Sequence, residues 1–193
     1  MTTAHASPGK NRGLSPSSDP LENLRSAQEN LRTEFSHFIQ QKKPVPSHWK
    51  SDRLEEFLGR LCLCAFFPTP QSPLDLLPAH TQLSEELASS VLSYWDALHH
   101  LSSDTPIELL LGASKSSLSS SSRGLSLWLH GFLDAFPCSK GKTLLRGRQQ
   151  QLDYSQPTSP FLIQLTLQEL QKIWSDLHAA YLKNPKWQEI REF

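Results

Sequence analysis

Ser139-Lys140-Gly141-Lys142-Thr143 sets two lysines, a glycine and two hydroxyls in five residues, a chemistry that suits phosphate. A full phosphate-binding loop also needs a glycine five residues before Gly141 and a strand leading into the turn. Phe136 holds that position and a helical pattern precedes it, so the segment reads as a basic turn. Cys62 and Cys64 stand two apart, and on a helix such residues point to nearly opposite sides. They cannot chelate one ion together. With Cys138 they are the only three cysteines, short of the four Cys/His ligands of a structural zinc site. All three read as buried and inert. The eight histidines are scattered, and His99 and His100, being adjacent, diverge on a helix. His130 reads as a rim residue beside an apolar helix face. Gly124-Leu125-Ser126-Leu127 is followed by Trp128, where a nucleophile elbow needs glycine. Glu55/Glu56 and Glu85/Glu86 are sequence neighbours whose simplest role is surface charge near helix starts. No catalytic residue, cofactor site or metal site is assigned.

Two charged groups remain as candidate partner contacts. Lys140, Lys142, Arg146 and Arg148 put four positive charges into nine residues with no acid among them. The segment can contact phosphate, but no aromatic residue is interleaved for base stacking and no recognition-helix signature stands beside it. Glu85 and Glu86 are the second group. They belong to residues 61–114, which hold no Lys or Arg and six acids, a net charge of −6. Residues 115–148 carry a net charge of +5. Solvated faces that partly neutralise each other explain this pattern, and so does an acidic face and a basic loop used on partners.

The elements that must position these residues are helical. Asp19 can cap a first helix, with Pro20 at its first position and Glu22 three residues after the cap. Leu24, Leu31, Phe35 and Phe38 lie near one face of it, and Pro44 and Pro46 end it. A second helix is expected from about Ser51 to Phe67, burying Leu54, Phe57, Leu58, Leu61 and Ala65. Pro68, Pro70 and Pro73 then make a stiff connection to a turn around Leu74–Leu77. Leu83, Leu87, Val91, Tyr94, Leu98 and Leu101 line one face of a third helix. Thr105-Pro106-x-Glu108 reads as a capping box opening a short fourth. A mobile Ser-rich loop is expected over 113–123, with seven serines between Ser114 and Ser122. A fifth helix covers about Gly124–Phe136, stopped by Pro137. Residues 138–160 are polar, with a short helix expected near Leu144–Leu152. A last helix is expected to start at Thr166, with Glu169 completing a capping box, and to end at Asn184 and Pro185. Leu162–Leu165 could be a lone extended piece.

The pattern predicts an all-α fold, a single bundle-like domain of five to seven helices over 19–193, behind a disordered tail at 1–18. The 193 residues suffice for one core without disulfides or metal. Hydrophobic residues make up 37%, below the usual share, as a disordered part diluting a folded one would give. The 19 basic and 19 acidic residues balance, which argues against binding polyanions by bulk charge. Few and odd cysteines exclude a disulfide-stapled scaffold and make a reducing cytosol the default. The longest apolar run, Leu61–Phe67, is far short of the roughly 20 residues a membrane crossing needs.

The order of three stretches resembles the YecA/YgfB family of small bacterial proteins, over residues 51–182. Leu54-Glu-Glu-Phe-Leu-Gly-Arg-Leu-Cys62, with Leu76-Leu77-Pro78 after a Pro-rich link, is similar to the family's opening helix and Leu-Pro turn. Leu125-Ser-Leu-Trp128-Leu-His-Gly131-Phe132-Leu133-Asp-Ala-Phe136 resembles its Trp-x-x-Gly-Phe-Leu-x-Gly-Phe helix. Leu165-Thr166-Leu-Gln-Glu169-Leu resembles its final capped helix. The chain departs from the pattern where Glu55 and Glu56 replace His-Gly, Arg60 replaces a small residue and Ala135 stands for glycine. Small residues permit close backbone approach, so one helix pair is expected to sit farther apart here. The family's acidic segment before the last helix is replaced by Lys/Arg/Gln-rich sequence. Without the Cys-rich zinc tail, the chain resembles the shorter YgfB-like branch. The resemblance implies an all-α bundle, a bacterial cytoplasmic setting and a regulatory, partner-binding role with no catalytic residues to carry over.

The expected function is a non-enzymatic regulatory protein that binds another protein, alone or as a homodimer, with no cofactor and no membrane. The alternative is a nucleic-acid-linked regulator using the basic 140–148 segment. A small-molecule enzyme comes third, because it needs a buried acid–base pair the sequence does not reveal.

Overall fold

A computed structural model describes residues 19–40, 47–66, 72–78, 83–111, 123–136, 139–154 and 159–183. The 1–18 tail, the Ser-rich tract through Ser122, Cys138 and the expected stop at Asn184-Pro185 lie outside them. Seven α-helices and no strand occur among the described residues: α1 Pro20–Gln40, α2 Ser47–Cys64, α3 Glu85–His99, α4 Ile107–Leu111, α5 Arg123–Asp134, α6 Lys140–Tyr154 and α7 Pro160–Lys183. A 3-10 turn, Pro73–Leu76, connects α2 to α3. The fold is all-α.

Helix starts follow local chemistry. The Asp19 carboxylate accepts from Leu21 N–H, as a cap does. Ser84 caps α3 by accepting from Leu87 N–H, which leaves Leu83 outside the helix and exposed. Two expected capping boxes are replaced. The Thr105 hydroxyl donates back to Ser102 O, and the Ile107 N–H of α4 donates to Gln171 Oε1 at 2.6 Å. A short helix thus takes its cap from a distant helix. The last helix starts at Ser159-Pro160, with the Ser159 hydroxyl accepting from Phe161 N–H. Pro suits the first helical position, so the helix begins two turns earlier than Thr166 would set it. Thr166 is buried and donates to Leu162 O, and Leu162–Leu165 are helical, not extended.

The core is built on α2 and α5, which cross antiparallel at backbone contact. A Cβ added to Gly59 would meet Trp128 O at 2.0 Å, and one added to Gly131 would meet Glu56 O at 1.8 Å. The two glycines keep this pair close, so the looser packing expected from Glu55, Glu56 and Ala135 does not occur here. Leu54, Phe57, Leu58 and Leu61 of α2 and Trp128, Leu129, Phe132 and Leu133 of α5 are all buried.

The other helices are joined to this pair and to one another by buried and part-buried polar ties as well as apolar faces. On α1, Gln28 donates to Leu110 O at 3.2 Å and Arg32 donates to Leu111 O at 3.4 Å, satisfying carbonyls at the end of α4. Arg32 also pairs with Glu55 of α2 at 2.9 Å. α6 lies on α5: Ser126 donates to Asp153, and Gln149 donates to Ser126 O. α7 packs on α6 through the Arg148–Glu169 pair at 2.6 Å.

Candidate functional site

The basic segment is not a loop. Residues 140–148 form the first turns of α6, and Ser139 caps them by accepting from Lys142 N–H. The Ser-Lys-Gly-Lys-Thr sequence is therefore a helix start, which is why the phosphate-loop likeness stops there. Lysines in a first turn oppose the helix dipole. Lys142 resolves this by reaching back to donate to Phe136 O at 2.8 Å, just past the end of α5. Arg146 donates to Gln149 Oε1 at 2.7 Å. Arg148 donates to Glu169 of α7 and, at 3.0 Å, to Gln151. Lys140 is exposed. Lys142 and Arg148 thus tie α6 to neighbouring segments, and Arg146 is bonded within its own helix.

Glu85 and Glu86 are exposed in the first turn of α3, where the helix N-terminus favours carboxylates. Of the exposed apolar side chains, Phe161 in the first turn of α7 is 71% accessible and Leu144 on α6 is 44% accessible.

Cys62 and Cys64 are both buried on α2. Burial pushes the Cys62 thiol up to about 12 and the Cys64 thiol up to about 11, so neither is a thiolate at neutral pH. Cys62 Sγ lies 3.5 Å from the Tyr94 hydroxyl, to which Gln28 also donates. Burial raises the Tyr94 phenol well above its ordinary value. This group is a neutral polar thread through the core.

A second buried cluster escaped the sequence reading. His178 of α7 is fully buried and stacks on Trp174, with centroids 5.0 Å apart and rings 16° from parallel. The edge-on ring of Phe66, just past α2, lies 4.7 Å away. Ser103, in the α3–α4 turn, has its hydroxyl 2.8 Å from His178 Nδ1. His178 Nε2 and Trp174 Nε1 are buried without a hydrogen-bond partner. Burial first, and then His99, lowers the His178 pKa below its ordinary 6.5. His99 of α3 joins the cluster against Phe66 and Trp95, at 5.8 and 5.5 Å. Its Nδ1 faces Trp95 O at 2.8 Å and its Nε2 faces Ala65 O at 2.6 Å. His100, its neighbour, is exposed.

One signal for this cluster was present. Trp95/His99 and Trp174/His178 are both aromatic–histidine pairs four apart, which share a helix face. Nothing local says that the two faces meet across Phe66.

A serine on an imidazole is the start of a nucleophile–base pair. Here the imidazole has no third group to orient it, and its free nitrogen is sealed from solvent. The arrangement does not admit a substrate. Among the described residues no group of three His, Cys, Asp or Glu side chains is placed to hold a metal ion. No described helix is long and apolar enough to cross a membrane. No protein family, curated relative or solved structure matches the chain.

Proposed function

We propose that this chain is a cytoplasmic, non-enzymatic interaction protein of the YecA/YgfB type that acts by binding another protein, alone or as a homodimer. The observation that carries the reading is Phe161, a large apolar side chain left 71% exposed at the start of α7. Aromatic side chains are enriched in the centres of protein interfaces, where burial stabilises the complex by about 2 kcal/mol or more per residue. Leu144 adds a second exposed apolar group on α6, the helix that α7 packs against. The exposed Lys140, Glu85 and Glu86 supply charge of both signs for steering.

The nucleic-acid reading loses support from the same helix. Phosphate contact by Lys142, Arg146 and Arg148 would compete with their bonds to Phe136 O, Gln149 and Glu169. The enzyme reading loses support from the sealing of His178.

The test is affinity purification of the tagged chain from native lysate, with and without nuclease. Protein partners that survive nuclease at low salt agree with the proposal. A partner set that vanishes with nuclease replaces it with the nucleic-acid reading.

A further inference from the structure

His99 and His178 occupy one aromatic cluster but are held in opposite ways. Both ring nitrogens of His99 face carbonyl oxygens, which only accept. Whichever ring nitrogen carries a proton, His99 has an acceptor in front of it. The ring packs against Phe66, Trp95 and Tyr181. His178 shares Phe66 and Tyr181 with it, yet has one partner, the Ser103 hydroxyl, and a second nitrogen buried with none. With two protons on the His178 ring, its buried Nε2–H has no acceptor, in a cation stacked on Trp174 and facing His99. Each of these disfavours the docked position of the helix segment that carries it.

We propose that the His99–His178 pair is an acid-sensitive latch that releases the C-terminal turns of α7 from α2 and α3 when the buried His178 ring takes up a proton. Release exposes Phe66, Trp174 and Tyr181 as an aromatic surface. Among the described residues, no carboxylate is paired with His178. From α3 the facing titratable group is His99, and from its own helix it is Tyr181. The end of α2 offers Phe66 and, two residues earlier, Cys64, a thiol kept neutral by burial. The α3–α4 turn offers Ser103; Asp104 beside it is exposed and accepts from Ser102. α4 meets α7 at Gln171, and α6 meets it at Glu169 and Ile173, a turn or more away from His178.

The sign is set by the released state. There His178 returns to its ordinary 6.5, while in the docked state it is lower. Opening is therefore favoured as pH falls below 6.5, by up to about tenfold per pH unit, until the docked value is reached. The device does not depend on the identity of any partner.

The experiment is hydrogen exchange of the full chain from pH 7.5 to 5, corrected for intrinsic rates and read over residues 174–183, beside an NMR titration of the histidine rings. The expected result is a fall in protection of these residues toward about tenfold by pH 5.5, with α2 and α5 still protected. In His178→Phe, which keeps the stacked ring, the fall should be absent. Protection that is unchanged in wild type, or that falls equally in His178→Phe, overturns the latch. Should His178→Phe fail to fold, the wild-type titration decides. A His178 ring that takes its proton only as α7 loses protection supports the latch, and one that takes it while α7 stays protected refutes it.

Discussion

Gly59 on α2 and Gly131 on α5 are reciprocal partners: each lies over the carbonyl three residues before the other. Gly59 faces Trp128 O and Gly131 faces Glu56 O, at distances no Cβ can share. The atoms in the way are backbone, so they cannot swing aside as a side-chain tip would. Two further helices hang on this crossing: α1 reaches α2 through Arg32–Glu55, and α6 reaches α5 through Ser126.

Gly59→Ala and Gly131→Ala should each destabilise the protein by about 3 kcal/mol or more, the upper range for overpacking a core. Gly147→Ala is the control. It sits in α6 with open space around the position, so it should stabilise by about 0.5–1 kcal/mol. Urea midpoints of the three variants check this. Equal, mild effects at all three positions would refute the crossing.

The same contact shows what the sequence could and could not say. Apolar spacing predicted the buried stripe of α2 and, from Leu87 on, that of α3, since period alone sets a helix face. Leu83 was misplaced because Ser84, next to it, takes the cap and turns the chain before the stripe begins. Thr166 was misread as a cap because a buried threonine inside a helix bonds its own preceding turn, a use that sequence does not distinguish. A helix was expected only from about Leu144, with Ser139–Thr143 a basic turn, whereas α6 starts at Lys140; its inner face is marked by just Leu145, Gln149 and Leu152 among the described side chains. The short helix after Pro106 was legible but its cap was not, since the Ile107 N–H is held by Gln171, 64 residues away.

Arg148 and Glu169 join two helices at a part-buried site, with side chains 25% and 17% exposed. Arg148→Met should cost about 1–2 kcal/mol, between an exposed pair and a buried one. A double-mutant cycle with Glu169→Gln should return a coupling of about 1 kcal/mol. Zero coupling would mean that Arg148 is available to a partner.

Glu55 gives a pH dependence opposite to that of His178. Burial raises its pKa above 4.5, and Arg32 only partly offsets this. The native state then binds the proton more readily than the unfolded chain, so stability rises as pH falls through the native value toward 4.5. Glu55→Gln mimics the protonated form and lacks this term. Relative to wild type, the variant should look better at pH 7 than at pH 5 in urea titrations. The reverse order would show that Arg32 outweighs the burial.

Cys62 and Cys64 should resist alkylation by iodoacetamide at pH 7.5 in the native protein and react once it is unfolded in urea. Their buried thiols, at about 12 and about 11, supply almost no thiolate. Mass spectrometry of the labelled peptides reads the outcome. Rapid native labelling of either residue would mean that α2 opens locally.

The most direct measurement of the central claim compares tagged wild type with Phe161→Asp in nuclease-treated purification from native lysate, read by quantitative mass spectrometry. The substitution leaves the core intact, because Phe161 is 71% exposed, and an acid suits the first turn of a helix. The expected result is a nuclease-resistant protein partner whose recovery drops by about tenfold or more in the variant, the scale of one interface anchor. Undiminished recovery in Phe161→Asp, or recovery that depends on nucleic acid, would contradict it.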